Sequence, residues 1–573
     1  MINTQFAVCL DFRSAAVMRA LIGFCVLGSA ATAHASGRLA TTPIWTVDGT
    51  PYSPEIAGLG LSVGSAGDLD GDGFDDLIVG APQSFLGCCQ QGAVFIYRGS
   101  VAGPTVEFSA GVLGASTSGY GTAVDSAGDV NGDGLDDVIF AGSYEGSPNR
   151  AVVYHGVAAA WPISSAPAWS FTYATGGTFW PSAVAGAGDV NGDGYDDVIV
   201  GNRSFTQDGL TRCGRALVFL GSPTGLSTAA AWTVTGTRAQ ENLGFTVASA
   251  GDVNDDDFGD VLVGNSFQAR LYLGSASGLA LTPAWTAQMR PILGDYYSYG
   301  EVASAGDVDA DGYVDVIVGS PGFANGSDEG RVALYRGSAA GLSATPLWTV
   351  ESNRPGARFG CSVAGAGDVD ADGYGDLIVG DGSFRGRASL FLGSPSGPSQ
   401  APAWFIDGAT SGSQFGLSVR GAGDVNADGR DDVIVGSPGG SSGSGEAFLY
   451  LGVPAESSGP APPAPDGSGA EEPLVIARGS ADSLTLSWGV SCLANEMDWE
   501  IYEGMLGAFT SHVPSLCSTG GQHGARLVPM SGDRYFIIVP RTLDFEGAYG
   551  RDTSGQRPPS TSACLPQSVT ACP

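Results

Sequence analysis

Basic residues are scarce in this 573-residue chain. Lys and Arg together number 25, against 59 Asp and Glu, and the formal net charge is −34. Because such a surface repels phosphate groups, nucleic acid and anionic membranes are not expected partners. No Cys-x-x-Cys pair or Cys/His cluster occurs, which argues against a zinc site. Beyond the N-terminus, no helical periodicity and no apolar run long enough to span a membrane is present.

The N-terminal segment has the features of an export signal. Met18-Arg19 precedes an apolar stretch over residues 20–27, and Ala33-His34-Ala35 supplies a small-x-small cleavage pattern. We therefore expect a signal peptide over residues 1–35, with Met18 as the true start and cleavage near Ala35. The mature chain is then expected to be secreted or to lie at the cell surface.

What the chain has in abundance is glycine (90 residues) and one acidic loop that recurs seven times. The first copy reads Asp68-Leu-Asp70-Gly-Asp72-Gly73-Phe74-Asp75-Asp76 and is followed by the apolar run Leu77-Ile-Val79. The other copies begin at Asp129, Asp189, Asp252, Asp307, Asp368 and Asp424, which gives spacings of 61, 60, 63, 55, 61 and 56 residues. A period of this length indicates a repeat architecture with one loop in each unit.

Each period contains four short strand-like segments separated by turn signals, which is typical of a β-propeller blade. The fourth segment begins with Trp in most periods, and Phe108 is expected to replace Trp in the first. The seventh period lacks its own Trp segment, whereas Pro43-Ile-Trp45-Thr-Val47 precedes the first period. We therefore predict an all-β, seven-bladed propeller that is closed by this N-terminal strand, since closure removes exposed strand edges.

The repeat ends before a Pro/Gly/Ser-rich stretch. The predicted organisation is a signal peptide (1–35), a seven-bladed propeller (43–452), a linker (453–470) and a C-terminal domain (471–573). Strand-like runs at residues 483–488, 499–502 and 535–539, with an early Trp488, indicate a small β-sandwich of immunoglobulin or fibronectin type III character for the last domain.

The loop pattern D-x-[DN]-x-D-G-x-x-D is suited to calcium. Calcium takes six to eight oxygen ligands, and here side-chain oxygens stand at positions 1, 3, 5 and 9, with the backbone carbonyl of position 7 between them. Glycine at position 6 allows the chain to fold tightly round the ion. An EF-hand is disfavoured, because strands flank the loop and no Glu stands at position 12. The residues so assigned are Asp68, Asp70, Asp72, Phe74 and Asp76; Asp129, Asn131, Asp133, Leu135 and Asp137; Asp189, Asn191, Asp193, Tyr195 and Asp197; Asp252, Asn254, Asp256, Phe258 and Asp260; Asp307, Asp309, Asp311, Tyr313 and Asp315; Asp368, Asp370, Asp372, Tyr374 and Asp376; and Asp424, Asn426, Asp428, Arg430 and Asp432.

The alternative interpretation of each loop is an Asx-rich turn without metal. Seven copies in register favour calcium, since several like charges in one loop repel each other strongly without a cation. We expect up to seven Ca²⁺ ions with a structural role. The fourth loop departs from the pattern, because Asp257 replaces the glycine at position 6; Asp tolerates left-handed geometry better than most residues, so binding is expected to survive with lower affinity.

Further motifs carry a family resemblance. Phe359-Gly360, Phe415-Gly416, Tyr120-Gly121 and Tyr299-Gly300 precede metal loops, and Gly80-Ala81-Pro82, Gly319-Ser320-Pro321 and Gly436-Ser437-Pro438 follow second strands. Over residues 43–452 the chain resembles the FG-GAP repeat family, best known from the integrin α-subunit head. The resemblance implies a seven-bladed propeller with calcium loops on its lower face and partner binding mainly on the opposite face. Every repeat here carries a metal loop, unlike in integrins, and this looks like the bacterial-type members.

Three functional classes remain open. A binding or adhesion module for an extracellular protein or carbohydrate is the main prediction, and Phe85, Tyr144, Phe205, Phe267, Phe323 and Phe384 recur in the turns opposite the metal loops. These rings either form a binding platform or, in the favoured interpretation, pack against neighbouring blades. A calcium-dependent polysaccharide-degrading enzyme and a passive extracellular scaffold are the alternatives. No catalytic residues are assigned, because the three remaining histidines, His155, His512 and His523, are scattered and the carboxylates belong to the loops.

Overall fold

The structure is a computed structural model. It describes residues 39–49, 58–83, 92–105, 108, 110–113, 119–142, 149–159, 162–173, 183–265, 267–289, 300–323, 329–439 and 444–453, and the backbone of eight strands between Val475 and Gln556. These residues contain strands and turns but no helix, and so no helix that is long and apolar enough to cross a membrane occurs among them. The chain divides into two compact units, of which Gly28–Ala455 contains the repeats.

Seven antiparallel four-stranded sheets form the blades. Strand β1 covers Trp45–Asp48. Blade 1 comprises Ser62–Gly67 (β2), Asp76–Ala81 (β3), Ala93–Tyr97 (β4) and Ala110–Leu113 (β5); blade 2, Tyr120–Gly128 (β6), Asp137–Gly142 (β7), Asn149–Tyr154 (β8) and Trp169–Tyr173 (β9); blade 3, Val184–Gly188 (β10), Asp197–Asn202 (β11), Arg215–Phe219 (β12) and Trp232–Thr235 (β13); blade 4, Thr246–Gly251 (β14), Asp260–Gly264 (β15), Gln268–Tyr272 (β16) and Trp285–Gln288 (β17); blade 5, Val302–Gly306 (β18), Asp315–Ser320 (β19), Arg331–Tyr335 (β20) and Trp348–Glu351 (β21); blade 6, Phe359–Gly367 (β22), Asp376–Asp381 (β23), Arg387–Phe391 (β24) and Trp404–Asp407 (β25); and blade 7, Ser418–Gly423 (β26), Asp432–Ser437 (β27) and Glu446–Tyr450 (β28).

The N-terminal strand completes the seventh sheet. Strand β1 pairs antiparallel with β28, and Trp45 stands opposite Leu449. The first strands of successive blades contact one another in a closed circle, including β26 with β2, so they surround a central axis. The predicted all-β, seven-bladed propeller closed by an N-terminal strand is therefore confirmed.

The core lies between the blades. The second strand of every blade is buried over its whole length, since it is covered on both faces by neighbouring sheets, and this explains its continuous apolar sequence. The six tryptophans that open fourth strands are also buried, and each indole Nε1 donates to a backbone carbonyl of the next blade at 2.9–3.3 Å. Each of these tryptophans therefore links two adjacent blades.

The prediction that Phe108 takes the place of the tryptophan in blade 1 is wrong. In blade 1 the residue opposite Ile96 is Ala110, whereas in blade 2 the residue opposite the equivalent Val153 is Trp169. Phe108 lies two residues earlier and packs against Phe95 of its own blade, with ring centroids 5.2 Å apart. Blade 1 therefore has Ala110, not Phe108, in the tryptophan position.

The second unit is also built from strands. Val475–Arg478 (β29), Leu484–Ser487 (β30) and Gly524–Leu527 (β33) form one three-stranded sheet in the order β29-β30-β33, and Asp498–Met505 (β31), Val513–Leu516 (β32) and Arg534–Arg541 (β34) form another in the order β32-β31-β34. A short hairpin joins Arg551–Asp552 (β35) to Gly555–Gln556 (β36). The strand-like run at residues 483–488 contains β30, and the runs at 499–502 and 535–539 lie within β31 and β34. The sandwich arrangement and the domain boundaries remain predictions. The signal segment and residues 454–470 of the linker lie outside the described residues.

Candidate metal centres at one end of the propeller

The seven acidic loops all connect the first and second strands of a blade, so they lie together at one end of the propeller. A β-bulge ends each first strand at a glycine with φ between 69° and 73°, which pairs with the Asp at position 9 of the loop. This left-handed conformation suits glycine and turns the chain into the loop. Gly67, opposite Asp76, is the example in blade 1.

The Asp at position 1 organises each turn. In all seven loops one of its oxygens accepts the backbone N–H of position 5 at 3.0–3.1 Å, and the other accepts that of position 6 at 2.7–2.8 Å. The fourth loop follows the same pattern. Asp257 adopts φ 68° and donates its N–H to Asp252, so the expected left-handed geometry at this position is confirmed.

The Asp at position 9 is fully buried in every loop. One oxygen accepts the N–H of position 2, and the other accepts the N–H of a glycine just after the third strand, as Asp76 does from Leu69 and Gly99. Burial raises the pKa of this Asp to about 7 in five loops, namely at Asp76, Asp137, Asp197, Asp260 and Asp432. Neighbouring aspartates raise the pKa further, and the two hydrogen bonds oppose the shift. The pKa of Asp315 rises to about 6 and that of Asp376 to about 8 for the same reasons. The protein alone therefore disfavours a charge that a cation would stabilise.

Position 3 divides the loops into two classes. Asp70, Asp309 and Asp370 occupy it in blades 1, 5 and 6, and all three are buried. In these blades three carboxylates offer oxygens within 4.8 Å of one another, namely Asp68, Asp70 and Asp72; Asp307, Asp309 and Asp311; and Asp368, Asp370 and Asp376. The other four blades have Asn, whose side-chain N–H donates to the Asp at position 5 at 2.9–3.3 Å.

These residues fit a hard divalent cation. The donor set consists of carboxylate and amide oxygens on one tight turn, and the buried carboxylates at positions 3 and 9 stand among further negative charges. Oxygen ligands of this kind suit calcium or magnesium rather than zinc or copper. The acidic groups of blades 1, 5 and 6 could thus hold a metal, while the assignment of individual ligands remains a prediction.

A second aspartate at position 8 has a role that the sequence did not reveal. Asp136 of blade 2 accepts the backbone N–H of Asp68 in blade 1 at 2.9 Å. Asp196, Asp431 and Asp75 make the same bond to the preceding blade at 2.8–2.9 Å. A Cβ atom at Gly67 would stand 2.1 Å from the Asp136 carboxylate, so the glycine leaves room for this bond. The sequence signal for this role is an Asp-Asp pair at positions 8 and 9, which occurs in only four of the seven loops. The other three loops have Gly259, Val314 or Gly375 at position 8.

The opposite end presents a different surface. The guanidinium groups of Arg215 and Arg331 lie 4.0 and 4.2 Å from the ring centroids of Phe205 and Phe323. Phe267 is half-buried, whereas the ring of Phe384 is 71% exposed. Phe85 and Tyr144 lie outside the described residues. Among the four of these aromatic residues that the structure describes, Phe384 is thus the one whose ring is exposed to a partner.

No catalytic arrangement is found among the described residues. The string Gly60-Leu-Ser62-Val-Gly64 matches the G-x-S-x-G pattern, but Ser62 lies on β2 and its hydroxyl accepts the N–H of Val124. His155 lies at the end of β8, where burial lowers its pKa. The other two histidines of the predicted mature chain lie outside the described residues.

Comparison with known proteins agrees with this geometry. Four stretches, residues 60–97, 180–218, 299–335 and 415–450, match the FG-GAP repeat. The propeller is an integrin-α-like FG-GAP propeller. Among related proteins, human integrin alpha-IIb is 35% identical over 187 residues, which are 28% of this chain and 18% of that protein. Chicken integrin alpha-V is 30% identical over 213 residues, or 34% of this chain and 19% of its own length. Integrin alpha pat-2 of Caenorhabditis briggsae is 29% identical over 331 residues, or 56% of this chain and 22% of that protein.

The FG-GAP signature has a clear structural meaning here. Gly416 of blade 7 adopts φ 79° and donates its N–H to the carbonyl of Gly436 at 2.9 Å, and a Cβ atom on Gly380 of blade 6 would stand 2.0 Å from the Gly416 carbonyl. The aromatic-glycine pair thus brings two blades into close backbone contact. The chain matches about a fifth of the length of these integrin relatives.

Proposed function

We propose that this chain is an exported, calcium-stabilised adhesion or ligand-binding module. The observation that carries the calcium part is the fully buried Asp at position 9 of every loop, whose pKa is raised. The carboxylate clusters of blades 1, 5 and 6 support it. A divalent cation at positions 1, 3, 5, 7 and 9 offsets this buried charge and stabilises the loop that joins two strands of each blade. The export part rests on the N-terminal signal pattern.

The calcium proposal predicts measurable binding and stabilisation. Full-length mature protein stripped of metal should take up several calcium ions in calorimetric titration, up to seven. Its melting temperature should rise with added calcium, because a ligand that binds only the folded state stabilises it. An unchanged melting temperature together with no heat of binding would disprove this part of the proposal.

The fourth loop offers a matched pair of variants. Asp256 at position 5 is an assigned ligand, whereas Asp255 at position 4 is not, and both are exposed. Asp256→Asn should therefore weaken calcium binding at one site, while Asp255→Asn, which removes the same charge from the same loop, should leave the site intact. Equal effects of the two substitutions would argue against the ligand assignment and for a general charge effect.

The adhesion part of the proposal rests on the integrin-like propeller and on the exposed surface opposite the metal loops. Phe384 follows β23 at that end and is 71% exposed, while Leu281 precedes β17 at the metal-loop end and is 69% exposed. Exposed aromatic side chains commonly anchor protein and carbohydrate partners.

A binding screen can test which face is used. Glycan arrays and immobilised extracellular proteins would be probed with full-length mature protein in calcium. Phe384→Ser should reduce capture of any partner found at least about tenfold, which corresponds to the loss of one anchor side chain, and Leu281→Ser should not. The reverse result would place the partner on the metal-loop face, and activity on a polysaccharide substrate would favour the enzyme alternative.

A further inference from the structure

Two arginines reach into metal loops from the end of a third strand. Arg98 of blade 1 forms ion pairs with Asp70 and Asp72, the latter with an Nη2–Oδ2 distance of 3.0 Å. Arg336 of blade 5 is bonded to Asp309 and lies 3.5 Å from Asp311 through its Nε atom. In both blades the guanidinium therefore contacts the side chains at positions 3 and 5, which are assigned cation ligands.

The buried aspartate of each ion pair requires a positive charge beside it. The side chains of Asp70 and Asp309 are 2% and 0% exposed, whereas those of Arg98 and Arg336 retain 29% and 39% of their exposure. A buried carboxylate is strongly unfavourable unless a positive charge or several donors lie against it. Each arginine thus supplies to its loop, from the solvent side, the positive charge that a metal ion would otherwise supply.

The same place in the fold is occupied differently in the other blades. Each arginine immediately precedes a glycine in the sequence, Gly99 or Gly337. The N–H of that glycine donates to the Asp at position 9 of the loop, Asp76 or Asp315. The remaining five blades have one histidine and four leucines there, namely His155, Leu220, Leu273, Leu392 and Leu451.

Both arginines occur in blades whose loop has Asp, and not Asn, at position 3. Blades 2, 3, 4 and 7 combine a residue other than arginine with a neutral Asn, whereas blades 1 and 5 combine Arg with Asp. Blade 6 alone combines Asp370 with Leu392, so its loop has the extra negative charge without an arginine at this place.

We propose that Arg98 and Arg336 are resident counterions of the metal loops in blades 1 and 5. They occupy the cation position, so these two loops close without bound calcium and bind it more weakly than the loop of blade 6. This inference rests on the proposed calcium function, since it assigns different roles to loops that share one sequence pattern. The two charges cannot share the site, because cations a few ångströms apart repel each other strongly.

The test uses exchanges that the chain itself provides. Arg98→Leu, Arg336→Leu and the double variant give blades 1 and 5 the leucine that four other blades already accommodate. Leu392→Arg makes the reciprocal change in blade 6. Arg150→Leu is the charge-matched control, since Arg150 is an exposed residue of β8 whose side chain contacts Thr172. Ions retained by the full-length mature protein would be counted by mass spectrometry after equilibration at one low free calcium concentration.

The expected result is a change in the number of retained ions. Each arginine-to-leucine exchange should add one ion and the double variant two, while Leu392→Arg should remove one and Arg150→Leu none. Calorimetry should show affinity for the gained sites raised by about tenfold or more, which corresponds to the removal of one repelling charge. Unchanged counts in the double variant would overturn the proposal, since they would mean that the arginines leave the loops when calcium enters.

Thermal unfolding separates this inference from the calcium proposal itself. In excess chelator, Arg98→Leu and Arg336→Leu should lower the melting temperature more than Arg150→Leu does, because each loop then loses its positive charge. Added calcium should restore these two variants. If no variant binds calcium, the proposed function fails, and the melting temperatures in chelator decide the counterion role alone: a loss no larger than that of Arg150→Leu would overturn it.

Discussion

At the scale of single residues, the buried Asp at position 9 is a charge that the metal-free protein disfavours in every blade. It is hydrogen-bonded by two backbone N–H groups in every loop, yet its pKa lies near 7 in most blades because burial outweighs those bonds. The sequence predicted this residue as a ligand from the loop pattern. It could not predict the pKa, which depends on the blades packed on either side.

The raised pKa values predict how the stability of the metal-free protein depends on pH. An Asp with a folded-state pKa near 7 and an ordinary value of 3.8 binds protons more tightly when folded. The free energy of unfolding of the metal-free protein should therefore fall as the pH rises from about 4 through 7. Melting temperatures of metal-stripped protein should be higher at pH 5 than at pH 8, and excess calcium should abolish the loss at pH 8. A metal-free protein that becomes more stable as the pH rises over this range would contradict the prediction.

At the scale of elements, contacts between blades rest on residues that lie far apart in the sequence. Asp136 at position 8 accepts the N–H of Asp68, and the backbone N–H of Asp136 donates to the carbonyl of Asp68 at 3.2 Å. Four of the seven blade pairs have such a carboxylate link, whereas Val314 and two glycines occupy position 8 in the others. The blade interfaces are therefore of two kinds within one ring.

A single substitution tests the value of this link. Asp136→Ala removes an acceptor from a half-buried backbone N–H and should lower the free energy of unfolding by about 1–3 kcal/mol. Val314→Ala shortens the side chain at the same position of blade 5, where no such bond exists, and should cost less. Chemical denaturation in excess calcium measures both; equal losses would mean that side-chain packing, and not the hydrogen bond, accounts for the effect.

The blades also show which features the sequence alone could predict. The loop period determined the number of blades and the strand order, because each repeat carries its own turn and strand signals. The role of Asp136 was missed because a loop read by itself does not show which side chains face the neighbouring blade. Arg98 and Arg336 were missed for a related reason, since they join the loops only after the third strand folds back. Phe108 was misassigned because strand register, which places Ala110 opposite Ile96, is not visible in a motif.

At the scale of the whole molecule, two features bind the ring across large sequence distances. Among the strands that surround the central axis, Arg420 of blade 7 pairs with Glu301 of blade 5 at 2.6 Å, and the other Glu301 oxygen accepts the N–H of Val363 in blade 6. At the outer edge, β1 joins the last blade and the indole of Trp45 donates to the carbonyl of Thr105 in blade 1 at 2.9 Å. Strand β1 therefore connects both ends of the repeat array.

Removal of β1 should consequently affect the entire ring. Deletion of residues 39–48 exposes the edge of β28 and removes the buried Trp45, whose ring packs edge-on against Tyr97 with centroids 4.8 Å apart. The loss of a large buried aromatic side chain alone costs about 3–5 kcal/mol, and an unpaired edge favours association between molecules. Calorimetry should show a strongly lowered melting temperature, and light scattering should show oligomers. Ile44→Ser is the control, because that side chain is 49% exposed and its replacement leaves the strand pairing intact. A monomer with an unchanged melting temperature after deletion would mean that the other blade contacts hold the ring closed without β1.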